Sequence, residues 1–379
     1  MNHRPRIRSA TCRLRCLLRL TVIAAILLSG SSCYKPKPPP RNPAQVRAEI
    51  VRVLPKTVRD RQGWATDMVA AFAALKIDPS TENVCSALAV AEQESGFNVD
   101  PAVPGLPRIA LAELDRRASE HGIPAFVVHA ALKFSSPNGQ AYEDRIAAAR
   151  TEQDLSRIYD DFIGSVPMGK RLLQGANPVH TGGPMQVSIA FAEQLARARP
   201  YPYPVTGSIR DEVFTRRGGL YFGIAHLLDY PAGYPRPLYR FADYNAGFYA
   251  SRNAAFQRAA SLASGIPIPL DGDLVGYGRN GRGVGTTETA VRSLAGAIDL
   301  SDAQIRRALD KGETAGFEQT RVYQRVFALA ERQQGHSLAR AMLPQIRLTS
   351  PKISRQLSTE WFAKRVDQRY RRCLARASQ

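Results

Sequence analysis

The sequence predicts a mainly α-helical protein. Three observations lead there: apolar residues recur at spacings of three and four along most of the chain, no stretch alternates apolar and polar residues long enough to demand a large sheet, and proline, glycine and small polar residues punctuate the helical runs. No internal repeat occurs. With 379 residues the chain has room for two domains or one enlarged domain.

The first 33 residues read as an export signal, with an arginine-rich start, an apolar stretch from Leu20 to Leu28 and then small residues. That stretch is too short to span a bilayer. Small residues running into Cys33 fit a lipoprotein signal, in which Cys33 becomes the lipidated first residue of the mature chain. Plain cleavage and secretion is the alternative, because Gly30 stands where such signals carry an aliphatic residue. Residues 34–45, which include YKPKPPPRNP, are too proline-rich to pack and fit an extended tether. Tyr34, rather than an aspartate, after the lipid cysteine favours sorting to the outer membrane, and with it a periplasmic body held at that membrane's inner face.

PAQVRAEIVRVL and GWATDMVAAFAALKI carry helical spacing. In DPSTENVCSALAVAEQESGF, Asp78 and Pro79 are the expected cap and first helical residue, and the helix should run to about Glu94. Residues 107–175 hold four helix-like pieces separated by HGIP, SSPNG and GSVPMGK. The loop QGANPVHTGGPMQ leads into SIAFAEQLARA, and two longer helices are expected over DEVFTRRGGLYFGIAHLLDY and LYRFADYNAGFYASRNAAFQRAAS. From Gly265 to Thr287 glycine and proline mark a linker or surface loop. Within it GYGRNG matches a dinucleotide fingerprint in form only, lacking the preceding buried strand and the acidic residue. The chain ends in STEWFAKRVDQRYRRCLARA, a basic amphipathic helix with Phe362, Val366, Tyr370, Cys373 and Leu374 on one stripe.

The formal charge is +19, and six arginines lie before Cys33, so the mature chain carries 19 − 6 = +13. Such a surface is either simply solvated or attracted to a polyanion. For an exported chain that polymer is peptidoglycan or anionic lipid; no nucleic-acid signature occurs, so nucleic acid is not an expected partner. If Cys33 carries lipid, Cys85 and Cys373 are the two thiols left in an oxidising compartment, and a disulfide between them competes with two buried free thiols. None of the six histidines stands in a metal-binding spacing, and no nucleophile elbow appears, so no metal or cofactor is expected.

Chemistry points to Glu94. Val90 and Ala91 stand one turn back on its helix face and Phe97 follows, an apolar setting that disfavours the charged carboxylate and raises its pKa toward the range of a general acid. A lone glutamate at a helix end is ordinarily solvated or paired. Two further segments change the weighing: Gly182–Gln186, GGPMQ, and Asp243–Gly247, DYNAG, each of which joins a glycine turn to groups able to hydrogen-bond or stack on a sugar.

Taken in order, ESGF, GPMQ and YNAG resemble the three signature motifs of the lytic transglycosylases related to goose-type lysozyme, and the chain is more particularly similar to an uncharacterised proteobacterial lipoprotein family with that core. The resemblance covers about a dozen residues between Glu94 and Gly247. It implies a lysozyme-like catalytic domain over 46–265, enlarged by a helical insertion at about 107–175 and followed over 266–379 by a glycine-rich loop and a C-terminal helical region. It implies that Glu94 is the catalytic acid and base, that Ser95 orients substrate or glutamate, that Met185 and Gln186 line a cleft, and that Tyr244 and Asn245 contact the sugar. The substrate would be peptidoglycan, cut between N-acetylmuramic acid and N-acetylglucosamine with closure of a 1,6-anhydro ring and no second carboxylate. Pro184 replaces a usual leucine and Asp243 a small residue. Asp243 is read as a second carboxylate near the site or as the partner of an arginine, and His180 as a cleft or surface residue. The competing reading is a peptidoglycan-binding scaffold that kept the fold and lost turnover, and a third is a muramidase using water with Asp243 as helper.

Overall fold

Helix punctuation organises the computed structural model, which describes residues 41–165, 177–276, 283–348 and 356–379. The signal segment with Cys33, most of the tether, residues 166–175 of the insertion and nearly all of GYGRNG lie outside the described residues. The described chain is mainly helical. Helices α1 (Pro43–Val53), α2 (Arg61–Leu75) and α3 (Thr81–Ser95) come first, and α1 has Pro43 in its first turn behind the Asn42 cap. The α3 cap is Ser80 and not Asp78: its hydroxyl accepts from the Asn83 N–H at 3.2 Å, so the helix starts two residues later than Asp78-Pro79 suggests.

Four helices occupy residues 106–165: α4 (Leu106–Glu120), α5 (Ala125–Leu132), α6 (Tyr142–Ala148) and α7 (Glu152–Ser165). A two-residue antiparallel hairpin, β1 (Thr181–Gly182) and β2 (Val187–Ser188), then pairs Gly182 with Val187 and carries the Gly183–Gln186 loop. Ser188 caps α8 (Ile189–Ala198).

Both long helices expected next are divided. Thr215 accepts from the Gly218 N–H and starts α10 (Arg216–Leu228) apart from the short α9 (Ile209–Val213). Gly247, at φ 108°, separates α11 (Pro237–Ala246) from α12 (Ala250–Ser264). Threonine and glycine within an apolar pattern here act as punctuation that periodicity alone overlooks. Helices α13 (Thr286–Ser293), α14 (Asp302–Leu309) and α15 (Arg321–Gln334), the short ladder β3 (Arg347–Leu348) with β4 (Leu357–Ser358), and α16 (Thr359–Ala377) complete the chain.

Two apolar cores form among the described residues. The first gathers α1–α3, the hairpin, α10 and α11, and it includes the α16 stripe Phe362, Val366, Tyr370 and Cys373. The second joins α12 to α13–α15. The C-terminal helix thus packs back on α3 rather than on the segment that precedes it, and the second core begins inside α12, ahead of the Gly265 boundary read from composition. Cys85 on α3 and Cys373 on α16 are joined by a disulfide with their Cα atoms 5.5 Å apart. Outside it, Glu92 receives Arg372 at 3.0 Å and Arg369 at 3.6 Å.

Candidate active site

Helix α3 delivers the acid. Gly96, at φ 58°, ends the helix in the left-handed conformation that costs glycine no Cβ clash, so Glu94 and Ser95 form its last turn. Val90 and Ala91 below them are fully buried. Glu94 is half-buried as a residue, but protein encloses its carboxyl, and that loss of solvent pushes its pKa up to about 8. The acid is therefore mainly protonated at neutral pH.

The hairpin loop meets α3 through Ser95, whose buried hydroxyl donates to the Pro184 carbonyl at 2.8 Å. It meets α11 through Tyr244, whose hydroxyl donates to the Met185 carbonyl at 2.7 Å. Burial, and then the neighbouring Glu94 charge, hold the Tyr244 phenol well above its ordinary pKa, so it stays a donor and lies within electrostatic reach of the acid. Four of the residues expected from sequence, Glu94, Ser95, Met185 and Tyr244, are thus connected although they come from three distant segments.

Gln186 and Asn245 are placed differently. Gln186 is half-buried at φ 50°; its side-chain amide folds back on its own turn, with Nε2 donating to the Gly183 carbonyl at 3.3 Å and Oε1 accepting from Thr181 Oγ1 at 3.3 Å. Asn245 is exposed and its Oδ1 accepts from Thr359 Oγ1 at 2.8 Å, which ties it to the start of α16.

Asp243 corrects the sequence reading. It is buried, and its carboxylate accepts from Tyr234 at 2.6 Å, Tyr230 at 3.1 Å and the Ser251 N–H at 2.7 Å. Burial raises its pKa while those donors pull it down. It braces the α11–α12 bend instead of facing an arginine. His180 is exposed, and its Nε2 lies 3.3 Å from Arg117 of α4. It lines a cleft of about 920 Å³ beside β2, together with Ser188, Glu193, Asp160 and Arg210. Glu94 does not line that cleft.

Helix α10 supplies what the sequence reading missed. A Cβ on Gly219 would strike Pro184, and one on Gly223 would stand 2.5 Å from Met185 Sδ, so these two glycines form the groove in which the loop rests. Their signal was present: glycines four apart inside a helix are unfavourable unless something packs there. One turn on, the His226 ring lies 4.9 Å from that of Tyr244, 4.8 Å from Phe191 and 4.7 Å from Phe248. Burial pushes its pKa down to about 4, so the imidazole is neutral, and its Nδ1 is buried without a hydrogen-bond partner among the described residues. No cluster of three or more potential metal ligands occurs among the described residues.

Fold and site define a helical protein in which a protonated acid stands where three segments meet. A family described as protein of unknown function (DUF1615) matches residues 57–376, and the chain belongs to that family. The uncharacterized protein YaiW of Escherichia coli (strain K12) is 53% identical over 364 residues, covering 96% of this chain and 99% of that protein. No solved structure matches. The matched span takes in residues 107–175 as well as the three motifs.

Proposed function

We propose that the chain is a peptidoglycan lytic transglycosylase with a lysozyme-like core, held by lipid on Cys33 at the inner, periplasmic face of the outer membrane. The observation that carries this reading is the protonated Glu94 carboxyl beside a loop pinned from both sides, by Ser95 to Pro184 and by Tyr244 to Met185. A glycosidic oxygen is a poor leaving group until it is protonated, and an acid that keeps its proton near pH 7 meets that need. The net charge of the mature chain favours a polymer bearing carboxylates.

In the proposed reaction Glu94 gives its proton to the oxygen that leaves C1 of N-acetylmuramic acid. The sugar's own acetamide covers the positive charge at C1 as that bond breaks. The Glu94 carboxylate then takes the proton of the C6 hydroxyl, the C6 oxygen bonds to C1, and the acid is restored. No water is consumed and one carboxyl suffices, in keeping with an Asp243 already occupied by two tyrosines and a backbone N–H.

The test is incubation of the protein with purified sacculi and mass analysis of what is released. Anhydro-ended fragments are expected, and Glu94→Gln should reduce their release by about 10²-fold or more while circular dichroism stays unchanged. Wild-type release by that variant sinks the assignment of the acid. One observation favours a binding scaffold without turnover: Asn245, expected at the sugar, is engaged by Thr359. Binding to sacculi with no fragments released would establish that reading, and reducing-end products would establish hydrolysis.

A further inference from the structure

Positive charge is concentrated on one face. Residues 41–61, which form α1 and the turn after it, hold six bases and two acids, and residues 359–377 of α16 hold the same, so these two segments contribute +8 of the +13 carried by the mature chain. Glu82 and Glu92 of α3, on which α16 lies, reduce the face to +6. Residues 106–165, by contrast, sum to −2.

Bonds bring the two segments together. Arg376 Nε of α16 donates to the Val53 carbonyl at 2.6 Å, Arg52 of α1 donates to the Arg376 carbonyl at 3.2 Å, and Arg61 reaches back to the Val51 carbonyl. Three guanidinium groups therefore crowd the C-terminal ends of both helices, whose partial charges of about −0.5 each offset only part of them. The acids nearby are already committed: Asp60 to Arg216, Glu49 to Arg41, Asp367 to Arg371 and Glu360 to Lys364. Arg47, Lys56, Arg59 and Arg365 stand exposed and pair with no carboxylate among the described residues. Like charges gathered in this way repel one another, and an opposing layer of negative charge relieves that repulsion.

Two observations point to phospholipid rather than wall polymer. Seven residues, 34–40, separate Cys33 from Arg41, which leads into α1, so a lipid on Cys33 leaves at most about 30 Å of extended chain between a bilayer and the start of this face. Trp361, 36% exposed on α16, stands one turn before Lys364 and Arg365, and tryptophan flanked by cations suits the boundary between head groups and acyl chains. Guanidinium forks, moreover, match phosphate oxygens in pairs.

We propose that the face formed by α1, the turn over 54–60 and the outer side of α16 docks on an anionic phospholipid layer, with Lys56, Arg59 and Arg365 meeting its phosphates. The choice of partner rests on the lipid anchor at Cys33 proposed above, and nothing in it depends on the chemistry of Glu94.

Vesicle co-sedimentation of the mature chain, carrying Cys33→Ser so that no acyl chain contributes, tests it. Phosphatidylglycerol vesicles should bind the chain at least about 10-fold more tightly than phosphatidylcholine vesicles at low salt, and the preference should shrink as salt is raised. Lys56→Glu, Arg59→Glu and Arg365→Glu together should weaken binding to phosphatidylglycerol at least about 10-fold. Lys311→Glu, Arg321→Glu and Arg332→Glu, exposed beside the second core and equal in charge change, should weaken it by less than about 3-fold. No preference for phosphatidylglycerol, no loss in the first variant, or the same loss in both variants would overturn the proposal. So would binding to sacculi that the first variant loses while its vesicle binding stays intact, which would assign the face to the wall. The mass of the exported wild-type chain reports separately on the anchor: an unmodified Cys33 sinks that reading and leaves the vesicle result to decide this one.

Discussion

At the residue scale the decisive quantity is the proton on Glu94. Its pKa in the folded chain is about 8 against an ordinary 4.5, so the folded state binds that proton more tightly than the unfolded state. The stability linked to it is fully present below about pH 4.5 and is lost as pH rises through 8. Glu94→Gln removes this dependence. After allowance for the residue's partial exposure, the variant should gain on the order of 1–3 kcal/mol over wild type at pH 9 and little at pH 4.5, as measured by urea unfolding. An identical difference at both pH values would show that the carboxyl is solvated. Tyr244→Phe should cost about 1–3 kcal/mol in the same measurement, because the Met185 carbonyl would lose its donor inside the protein. That variant should also release fewer fragments from sacculi, since the loop beside the acid is pinned through this bond.

Elements place those residues, and α10 does so by omission of side chains. Helix propensity alone predicts that Gly223→Ala stabilises by about 1 kcal/mol. The added methyl, however, would stand 2.5 Å from Met185 Sδ and 2.7 Å from its Cβ, which cannot swing aside as the sulfur could, and Met185 is fully buried. Steric cost of about 1–3 kcal/mol should win, giving a net loss of stability and a displaced loop. Gly233→Ala, where a Cβ meets open space, is the matched control and should be neutral within about 0.5 kcal/mol in denaturant unfolding. Equal effects of the two substitutions would remove the packing argument. Helical spacing and caps were legible across most of these elements, but the divisions at Thr215 and Gly247 were not, because a cap and a bend sat within an unbroken apolar pattern.

Over the whole molecule the Cys85–Cys373 bond ties residues 288 positions apart and holds α16 against the back of α3, on the face opposite Glu94. Closing so large a loop in the unfolded chain makes the bond worth about 2–5 kcal/mol. The paired substitution Cys85→Ser with Cys373→Ser should lower the thermal midpoint accordingly, since the Glu92 contacts with Arg369 and Arg372 that remain are partly exposed and contribute little. Thermal scans of wild type with and without reductant provide the check; an unchanged midpoint would mean that packing of Phe362, Val366 and Tyr370 alone secures the helix.

The sequence by itself determined the helical class, the amphipathic stripe of α16 and the position of the acid in the last turn of its helix, because periodicity, capping and glycine termination act over a few residues. It marked Asp243 and Asn245 as unusual or chemical without revealing their partners. Tertiary structure alone decided that Asp243 holds two tyrosines at a bend, that Asn245 meets Thr359, that two glycines of α10 seat the Pro184–Met185 turn, and that Phe126 and Val127 of α5 stand exposed among the described residues. Those outcomes depend on which surfaces meet across tens or hundreds of residues, and the energy of such a contact belongs to both partners at once, so neither local stretch encodes it.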